Sequence, residues 1–412
     1  MTAVVTRPQG AAGKNRAHSA MIWLAAWPVF AVFVLSNAPT PLYVVWQRSL
    51  GFSSGTLTAI FACYIAGLLG ALLVAGVMSD RLGRKPVLLP ALALAMLACV
   101  LFATATSVLV LALARLLTGI GVGAAVSAGM AAVTDVGGPE RKRLAALAAS
   151  AAMVLGAGFG PLLAGVFSET LPGPTVTIFA VEFALLVSAS LVVARLRLSK
   201  GAGGRGSWIR IPAVAPGGQA AVLLGIAVFA PGITATSFVL SLGPSLLSDL
   251  LGTTNRVVAG GLAFVMFLGA TGIQFAVRRL PIRAIMVGSA VATAASMIAL
   301  AVSVSTASIV LFGGAAVLAG LGQGMGQFAG LTAISAAVPA ARLAEANAAQ
   351  NVGGYVPAAV LPLAAGFLSD AIGLTGATAT FAMVVFTAAV AGGLLVGVRA
   401  AGRGSRHGIM RG

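Results

Sequence analysis

The chain has 412 residues, of which 59% are hydrophobic and only 8% are charged, and its mean hydropathy is +1.06. Soluble domains carry roughly 25% charged residues, so this composition excludes an ordinary soluble protein and indicates an integral membrane protein. The net charge of +17 does not indicate nucleic-acid binding, because the basic residues occur in short clusters between apolar runs. The two cysteines, Cys63 and Cys99, are isolated in apolar runs and predict neither a disulfide nor a metal site.

The apolar residues form twelve stretches that are long enough to cross a membrane. A crossing helix needs about 20 residues, so this chain accommodates about twelve helices joined by short loops. The first stretch is too long for a signal-peptide core, which predicts a retained helix. We expect the twelve helices near residues 19–46, 55–78, 87–105, 108–134, 144–168, 175–196, 219–247, 257–278, 283–303, 307–337, 344–369 and 375–398.

A basic linker rich in glycine, serine and proline divides the twelve stretches into two groups of six. The predicted organisation is a cytoplasmic tail at 1–18, an N-terminal six-helix bundle at 19–196, a cytoplasmic linker at 197–218, a C-terminal six-helix bundle at 219–398 and a cytoplasmic tail at 399–412. With these spans, the 25 lysines and arginines lie on the same side of the membrane as the N-terminus, except Arg48, Arg115 and Arg256. Because cytoplasmic loops carry an excess of Lys and Arg, both termini are predicted to be cytoplasmic.

A charged ten-residue stretch separates the second and third apolar runs. It is Gly76-Val-Met-Ser-Asp80-Arg81-Leu-Gly83-Arg84-Lys85, and we expect a loop at a membrane face, because a charge in hydrocarbon costs several kcal/mol. Gly83 permits a tight turn, and Arg84 and Lys85 hold the next helix at this face. The stretch resembles the signature G-x-L-x-D-R-x-G-R-K of the major facilitator superfamily, with Met78 in place of Leu.

That resemblance implies an all-α membrane protein with twelve transmembrane helices in two pseudo-symmetric six-helix bundles. It also implies a cytoplasmic gate loop formed by Gly76, Asp80, Arg81, Gly83, Arg84 and Lys85.

The two groups of helices repeat short motifs in one register. Gly119-Ile-Gly121-Val-Gly123 returns as Gly320-Leu-Gly322-Gln-Gly324, and Pro161-Leu-Leu-Ala-Gly165-Val-Phe-Ser-Glu169 returns as Pro362-Leu-Ala-Ala-Gly366-Phe-Leu-Ser-Asp370. Both pairs lie 201 residues apart. A degraded copy of the Asp80 stretch follows as Val277-Arg-Arg-Leu-Pro-Ile-Arg283. The repeats indicate two parallel halves with the substrate site between them near the membrane midplane.

Two charged residues inside predicted helices are candidates for proton coupling. Arg115 opens a glycine run that resembles the fourth-helix motif R-x-x-x-G-x-G of the superfamily, whose arginine is associated with proton transfer in exporters. The alternative is an arginine that snorkels to the interface. Glu182 lies among apolar residues, where a carboxylate is costly to ionise, so it can gain and lose a proton. The alternative is a structural acid that bonds to Thr177 or faces outer water.

The fifth predicted helix contains the segment Gly156-Ala-Gly158-Phe-Gly160-Pro161-Leu-Leu-Ala164-Gly165. Proline removes a backbone donor and the glycines remove side-chain bulk, so we expect a kinked, closely packed helix. The segment resembles the antiporter motif G-x-x-x-G-P-x-x-G-G of the superfamily, with Ala164 in place of one glycine. The resemblance assigns the kink to Gly156, Gly160, Pro161 and Gly165 and favours an exporter. The alternative is generic packing of small residues.

Polar residues inside the apolar runs are candidates for substrate binding. In the first helix, two prolines accompany an amide at membrane depth, and irregular polar backbone is tolerated there only beside a cavity or other protein. Amides in the second half concentrate on the tenth and eleventh helices. The predicted substrate-binding residues are Asn37, Thr40, Tyr43, Gln274, Gln323, Gln327, Asn347, Gln350, Asn351 and Tyr355.

Together these features predict a non-enzymatic carrier in the cytoplasmic (inner) membrane of a bacterium. The expected function is proton-coupled export of a small, largely apolar organic compound such as a drug, by alternating access. We expect no cofactor other than the proton gradient, no bound metal, no nucleic acid, and a functional monomer whose partners are the substrate, protons and the lipid bilayer. An importer of a sugar, amino acid or other nutrient is the alternative. A membrane sensor would need an added domain, and an enzyme would need a catalytic cluster, and the sequence contains neither.

Overall fold

The computed structural model describes residues 9–409, with gaps at 200, 202, 204–207, 210–211, 215–216 and 340–341, and side chains from residue 19 to residue 398. The predicted tails at 1–18 and 399–412 and much of the linker at 197–218 therefore lie outside the described side chains. Within the described residues the regular structure is helical, as the sequence predicts. The helices are α1 Gln9–Asn37, α2 Tyr43–Leu50, α3 Ser54–Leu82, α4 Lys85–Ala103, α5 Val108–Ala124, α6 Met130–Gly137, α7 Lys142–Thr170, α8 Thr177–Arg195, α9 Gln219–Asp249, α10 Arg256–Val277, α11 Ile282–Ser305, α12 Ile309–Ala337 and α13 Leu343–Ile409.

Eleven helical segments of the described chain are long and apolar enough to cross a membrane, and the last of them contains two crossings. Within α13, Gly373 has a φ of +84°, which breaks the helical geometry between the two predicted final spans. Glycine is suited to this turn because it lacks the Cβ that disfavours positive φ. The α13 helix therefore supplies an eleventh and a twelfth crossing, which agrees with the twelve predicted from the sequence.

The first and fourth crossings are interrupted where the sequence places prolines or small residues. After Asn37 the chain makes a turn and a short 3-10 helix, Thr40–Leu42, before α2 continues the same crossing. Pro39 and Pro41 lack the N–H groups that a continuous helix would use there. Between α5 and α6, residues Ala125–Gly129 form a turn of π-helix, a feature that often marks functional sites.

The helices form two bundles that meet along two helix pairs. Helix α3 packs against α13, and α7 packs against α10, so each pair joins one helix from each half. A shift of 201 residues places α3 on α10 and α7 on the first arm of α13, so the repeat converts one pair into the other. We call the end of the bundle that holds Asp80 the Asp80 end, and the opposite end, where α3 begins and the first arm of α13 finishes, the Asp370 end.

The Asp80 stretch is not the ten-residue loop that the sequence predicts. Helix α3 continues through Gly76, Asp80 and Arg81 to Leu82, and α4 begins at Lys85, so only two residues separate the helices. Asp80 and Arg84 are four residues apart, and their ion pair satisfies the charges at the helix end without a longer loop. Gly83 caps α3 with a φ of +99°, which is the turn predicted for this glycine.

Glycines bring the helices of each half into backbone contact. A Cβ on Gly67 of α3 would overlap the carbonyl oxygen of Leu116, and one on Gly119 of α5 would overlap that of Tyr64. In the second half, Gly320 and Gly324 of α12 stand equally close to the backbone of α10. Small residues at such crossings let membrane helices pack closely, where van der Waals contact drives association.

We expect Gly67→Ala to destabilise the protein and Gly70→Ala, three residues away on the same helix, to leave it unchanged. A Cβ at Gly67 meets backbone atoms that cannot move aside, whereas a Cβ at Gly70 has no heavy atom within 4 Å. Overpacking of this kind costs about 1–3 kcal/mol. Thermal unfolding of the two purified variants in detergent measures the difference, and equal midpoints would contradict the packing assigned to Gly67.

Candidate substrate cavity and gates

A cavity of about 180 Å³ lies between the two halves. Helices α1, α3, α5 and α7 contribute to its wall from the first half, and α9, α10, α12 and α13 from the second. Six of the predicted substrate-binding residues line this central cavity: Asn37, Gln274, Gln323, Gln327, Asn351 and Tyr355. The structure thus brings together amides from both halves that lie far apart in the sequence.

Four other predicted substrate-binding residues lie outside the central cavity. Asn347 lines a second cavity, of about 220 Å³, that shares Leu72 and Asn351 with the first and lies towards the Asp80 end. Gln350 is fully buried, and its amide packs on Gly330 and Gly225 instead. Both differences from the expected arrangement have one cause, because successive residues of a helix point in directions about 100° apart, so neighbouring amides need not face one site.

Thr40 and Tyr43, which the sequence predicts to bind substrate, also lie outside the central cavity. Thr40 lines a small void near the Asp370 end, and Tyr43 is fully buried within the first half. The break after Asn37 turns the chain, so the residues beyond it do not continue the face of α1 that carries Asn37.

Several cavity residues were missed because they are apolar, aromatic or hydroxylated and resemble ordinary helix core. Aromatic rings come from Phe33, Phe61, Tyr64 and Phe267, and hydroxyls from Thr236, Ser237 and Thr271. Thr236 donates a hydrogen bond to Oε1 of Gln323 at 2.7 Å, which fixes one of the predicted amides. Val126 lies in the π-helical turn and also lines the cavity, although no sequence feature indicated that turn.

Arg115 is fully buried behind the cavity wall, which excludes the snorkelling alternative. Its Nε donates to the hydroxyl of Tyr43, and its Nη1 donates to the carbonyl oxygen of Ser36 at 2.6 Å. Its Cζ lies 5.5 Å from the ring centroid of Phe61 and 5.6 Å from that of Tyr64. Both rings line the central cavity. Arg115 therefore sits one side chain away from the space where a substrate would lie.

Glu182 is buried in the first half and does not line the central cavity. Its Oε2 has no hydrogen-bond partner among the described residues. Thr177, the partner considered in the sequence, donates instead to the carbonyl oxygen of Pro172. Both structural alternatives for Glu182, a bond to Thr177 and exposure to water, therefore fail.

A cluster of ion pairs and hydrogen bonds joins four helices of the first half at the Asp80 end. Arg84 donates to Asp80 at 2.8 Å and to Asp135, on α6, at 3.0 Å. Lys85 donates to the carbonyl oxygen of Ala194 near the end of α8. Burial alone lowers the pKa of Arg84, but the bonds to Asp80 and Asp135 outweigh it and leave that pKa above its ordinary value. The cluster ties the ends of α3, α6 and α8 together through the start of α4.

At the Asp370 end, two carboxylates cap helices of the opposite half. Asp370, on α13, accepts hydrogen bonds from the backbone N–H groups of Ser54 and Gly55 at 3.1 and 3.0 Å. Glu169, on α7, accepts from the backbone N–H and from the side chain of Arg256 at 2.9 and 2.8 Å. A carboxylate at a helix N-terminus satisfies free N–H groups and complements the helix dipole. These two contacts, which we call the carboxylate caps, occupy equivalent positions in the 201-residue repeat.

The glycines of the predicted antiporter motif let α7 approach two other helices. Gly156 and Gly160 face the backbone of α1, and Gly165 faces the backbone of α10 at Arg256. Pro161 lies within the continuous helix α7, and its carbonyl oxygen stands against Gly260 of α10. The motif therefore packs α7 on α1 within the first half through Gly156 and Gly160, and on α10 of the second half through Pro161 and Gly165.

A comparison with protein families agrees with the twelve crossings, the repeat and the cavity between the halves. The sequence profile described as Major Facilitator Superfamily matches residues 22–280. The chain belongs to the major facilitator superfamily. This confirms the resemblance that the Asp80 stretch carries, and it identifies the chain as a transport protein of the membrane.

Curated relatives of this superfamily member are similar over a limited region. Multidrug resistance protein MdtL of Shigella flexneri is 34% identical over 110 residues, which is 26% of this chain and 28% of MdtL. MdtL of Escherichia coli shows the same identity and coverage. The chain thus matches just over a quarter of the length of these relatives.

Solved structures of other transporters share the fold at low sequence identity. An auto-inhibited POT family peptide transporter has a TM-score of 0.74 and 14% identity, covering 92% of this chain and 96% of that one. A mutant of the nucleoside transporter NupG has a TM-score of 0.66 and 12% identity, covering 92% and 99%. These likenesses extend over both bundles and establish the arrangement of the helices.

Proposed function

We propose that the protein exports a small, largely apolar organic compound in exchange for protons by alternating access. The observation that carries the proposal is the central cavity, which lies between the halves, while the paired carboxylate caps join the halves at the Asp370 end. The partial similarity to MdtL, a multidrug resistance protein, supports efflux as the direction. The glycines and proline of α7 support it too, since they resemble the antiporter motif.

We place the protein in the cytoplasmic membrane of a bacterium, as a monomer with both termini in the cytoplasm. The distribution of Lys and Arg supports this orientation, because nearly all of them fall towards the Asp80 end. In this orientation we infer that the carboxylate caps hold the halves together at the outer face and that the second cavity extends from the central one towards the cytoplasm. The Asp80 cluster is the cytoplasmic gate that rearranges when the halves rock. The partners are the substrate, protons and lipid, with the proton gradient in place of a cofactor.

Proton coupling is assigned to Glu182 and Arg115. Glu182 is a buried carboxyl without a partner for Oε2, so a proton there removes the cost of a charge in an apolar interior. Aromatic contacts connect the two residues, because Arg115 lies over Tyr43, Tyr43 contacts Trp46, and Trp46 stacks on Phe179 one turn before Glu182. A change in the charge of Glu182 would therefore shift these aromatic side chains and, through them, the cavity wall.

The proposal predicts substrate-dependent proton release that needs Glu182. In inverted vesicles energised by respiration, lipophilic drugs should collapse the pH gradient when the wild-type protein is present. Glu182→Gln should bind the same drugs without collapsing the gradient, because the amide cannot carry a proton. Glu140→Gln is the matched control, since Glu140 is exposed. A normal response from Glu182→Gln would remove this residue from coupling.

An importer of a hydroxylated nutrient is the second candidate, favoured by the amides of α12 and α13 in the cavity. The same vesicles discriminate between the two functions. If sugars or amino acids accumulate in intact cells that express the protein, and no drug collapses the gradient, the transport direction is inward and the export proposal is wrong.

A further inference from the structure

The central cavity is mostly apolar, and the polar groups among its described lining residues carry no formal charge. None of the described residues that line it is Asp, Glu, Lys, Arg or His. Its polar groups are amides and hydroxyls, and those of Thr271, Gln327 and Asn351 make no hydrogen bond with another described residue. These groups are available to an uncharged solute with donors and acceptors.

Aromatic rings cover the cavity wall from both halves. Phe33, Phe61 and Tyr64 contribute from the first half, and Phe267 and Tyr355 from the second. Aromatic faces bind planar solutes by stacking, and they also attract cations through their negative faces. Whether this wall accepts or rejects cations therefore depends on the charges behind it.

The charge behind the wall is the guanidinium of Arg115. Its partners among the described residues are the hydroxyl of Tyr43, a backbone carbonyl and three aromatic rings, and its Nη2 has no partner. No carboxylate of the described chain forms an ion pair with it. A buried charge without a counter-ion is weakly screened, so its positive field extends to the neighbouring cavity. Arg115 also makes cation–π contacts with the rings of Phe61 and Tyr64.

We propose that the cavity admits uncharged or singly anionic aromatic solutes and excludes cations, because the unpaired Arg115 makes it electropositive. The inference rests on the proposed export function, for which it specifies the substrate class. A cation entering the cavity would lose its hydration without gaining a carboxylate partner. It would also be repelled by the Arg115 guanidinium behind the aromatic wall. An uncharged planar solute pays neither cost and gains hydrogen bonds from Gln327 and Asn351.

The test compares growth protection by the wild-type protein across charge classes, in a bacterial host deleted for its own drug exporters. Linezolid represents uncharged aromatic compounds, nalidixate represents singly charged anions, and ethidium and tetraphenylphosphonium represent permanent cations. We expect a several-fold rise in the inhibitory concentration of linezolid and nalidixate and none for the two cations. Comparable protection against the cations would overturn the inference while leaving export intact. Protection against no compound would contradict the export function, and the inference would fall with it.

Two variants test the electrostatic cause. Gln327→Glu places a carboxylate in the cavity and should extend protection to ethidium and tetraphenylphosphonium, while Gln219→Glu makes the same change at the exposed start of α9 and should not. Arg115 is also assigned to proton coupling, so Arg115→Met is tested by binding and not by growth: the purified variant should bind ethidium where the wild-type protein does not, and gel filtration of a fluorescent fusion reports whether it folds. If Gln327→Glu is produced normally and still gives no protection against either cation, the charge of the cavity does not set its selectivity.

Discussion

Removing both carboxylate caps, with Glu169→Gln and Asp370→Asn, should open the Asp370 end. Each carboxylate holds the N-terminus of a helix in the other half, and both contacts must break for the halves to separate there. Because the caps are partly exposed, each contributes only about 1 kcal/mol. Together they amount to about 2 kcal/mol, which shifts the ratio of closed to open molecules by about thirtyfold.

The shift is measured as a distance between spin labels at Thr170→Cys and Ala371→Cys in a background without Cys63 and Cys99. Both labelled positions are exposed and lie beside the caps, one in each half. The double variant should populate a longer distance than the parent protein. Asp249→Asn is the control, since it removes a carboxylate at the same end whose partner is the adjacent Ser248. An unchanged distance distribution in the double variant would show that helix packing alone closes this end.

The carboxylate caps show what a sequence repeat can and cannot reveal. Glu169 and Asp370 stand at equivalent positions of the repeated segment, so their similarity is visible in the sequence. Their partners are not, because Asp370 caps a helix that begins 316 residues earlier in the chain. The N-cap residues Ser53 and Asn255 mark where the two helices start, but the donors to the carboxylates are backbone N–H groups, and no residue type shows which distant acid they bind. The function of the acids emerges only when the halves are assembled.

The substrate cavity was predictable where polarity alone marks a residue at membrane depth. Amides in apolar helices are costly unless they face a cavity or a partner, and Gln274, Gln323 and Gln327 do line the central cavity, although their role in substrate binding stays a prediction. Gln350 does not line the cavity, because its amide is buried against glycines of two neighbouring helices. Apolar residues such as Phe267 give no such signal. A phenylalanine in a membrane helix can face lipid, the protein core or a cavity, and the sequence does not distinguish these positions.

Some helix boundaries could likewise be predicted from the sequence and others could not. The turn at Gly83 was predictable because charged residues surround a glycine that can adopt positive φ. The continuation of α3 through Asp80 was not: it is accompanied by ion pairs of Arg84 with Asp80 and with Asp135, 51 residues later, and the local sequence does not show the second partner. Tertiary contacts of this kind extend a helix beyond the point where its hydrophobic pattern ends.

Tyr43→Phe should destabilise the protein by about 2 kcal/mol, although it removes a single oxygen atom from a buried ring. The hydroxyl of Tyr43 accepts the hydrogen bond of Arg115 Nε, and its loss leaves a buried charged donor without that partner. The aromatic contact remains, because the ring centroid stays 5.1 Å from Cζ of Arg115. Thermal unfolding in detergent should therefore show a midpoint lower by several degrees.

Tyr64→Phe is the matched control for the hydrogen bond, because the ring of Tyr64 also lies beside Arg115 while its hydroxyl makes no bond to it. This variant should unfold at the wild-type temperature. In an Arg115→Met background, Tyr43→Phe should have little further effect, since a hydroxyl without its charged donor has lost the interaction being measured. If Tyr43→Phe destabilises the protein equally in both backgrounds, the tyrosine contributes through packing, and the guanidinium is held by the carbonyl of Ser36 and the surrounding rings.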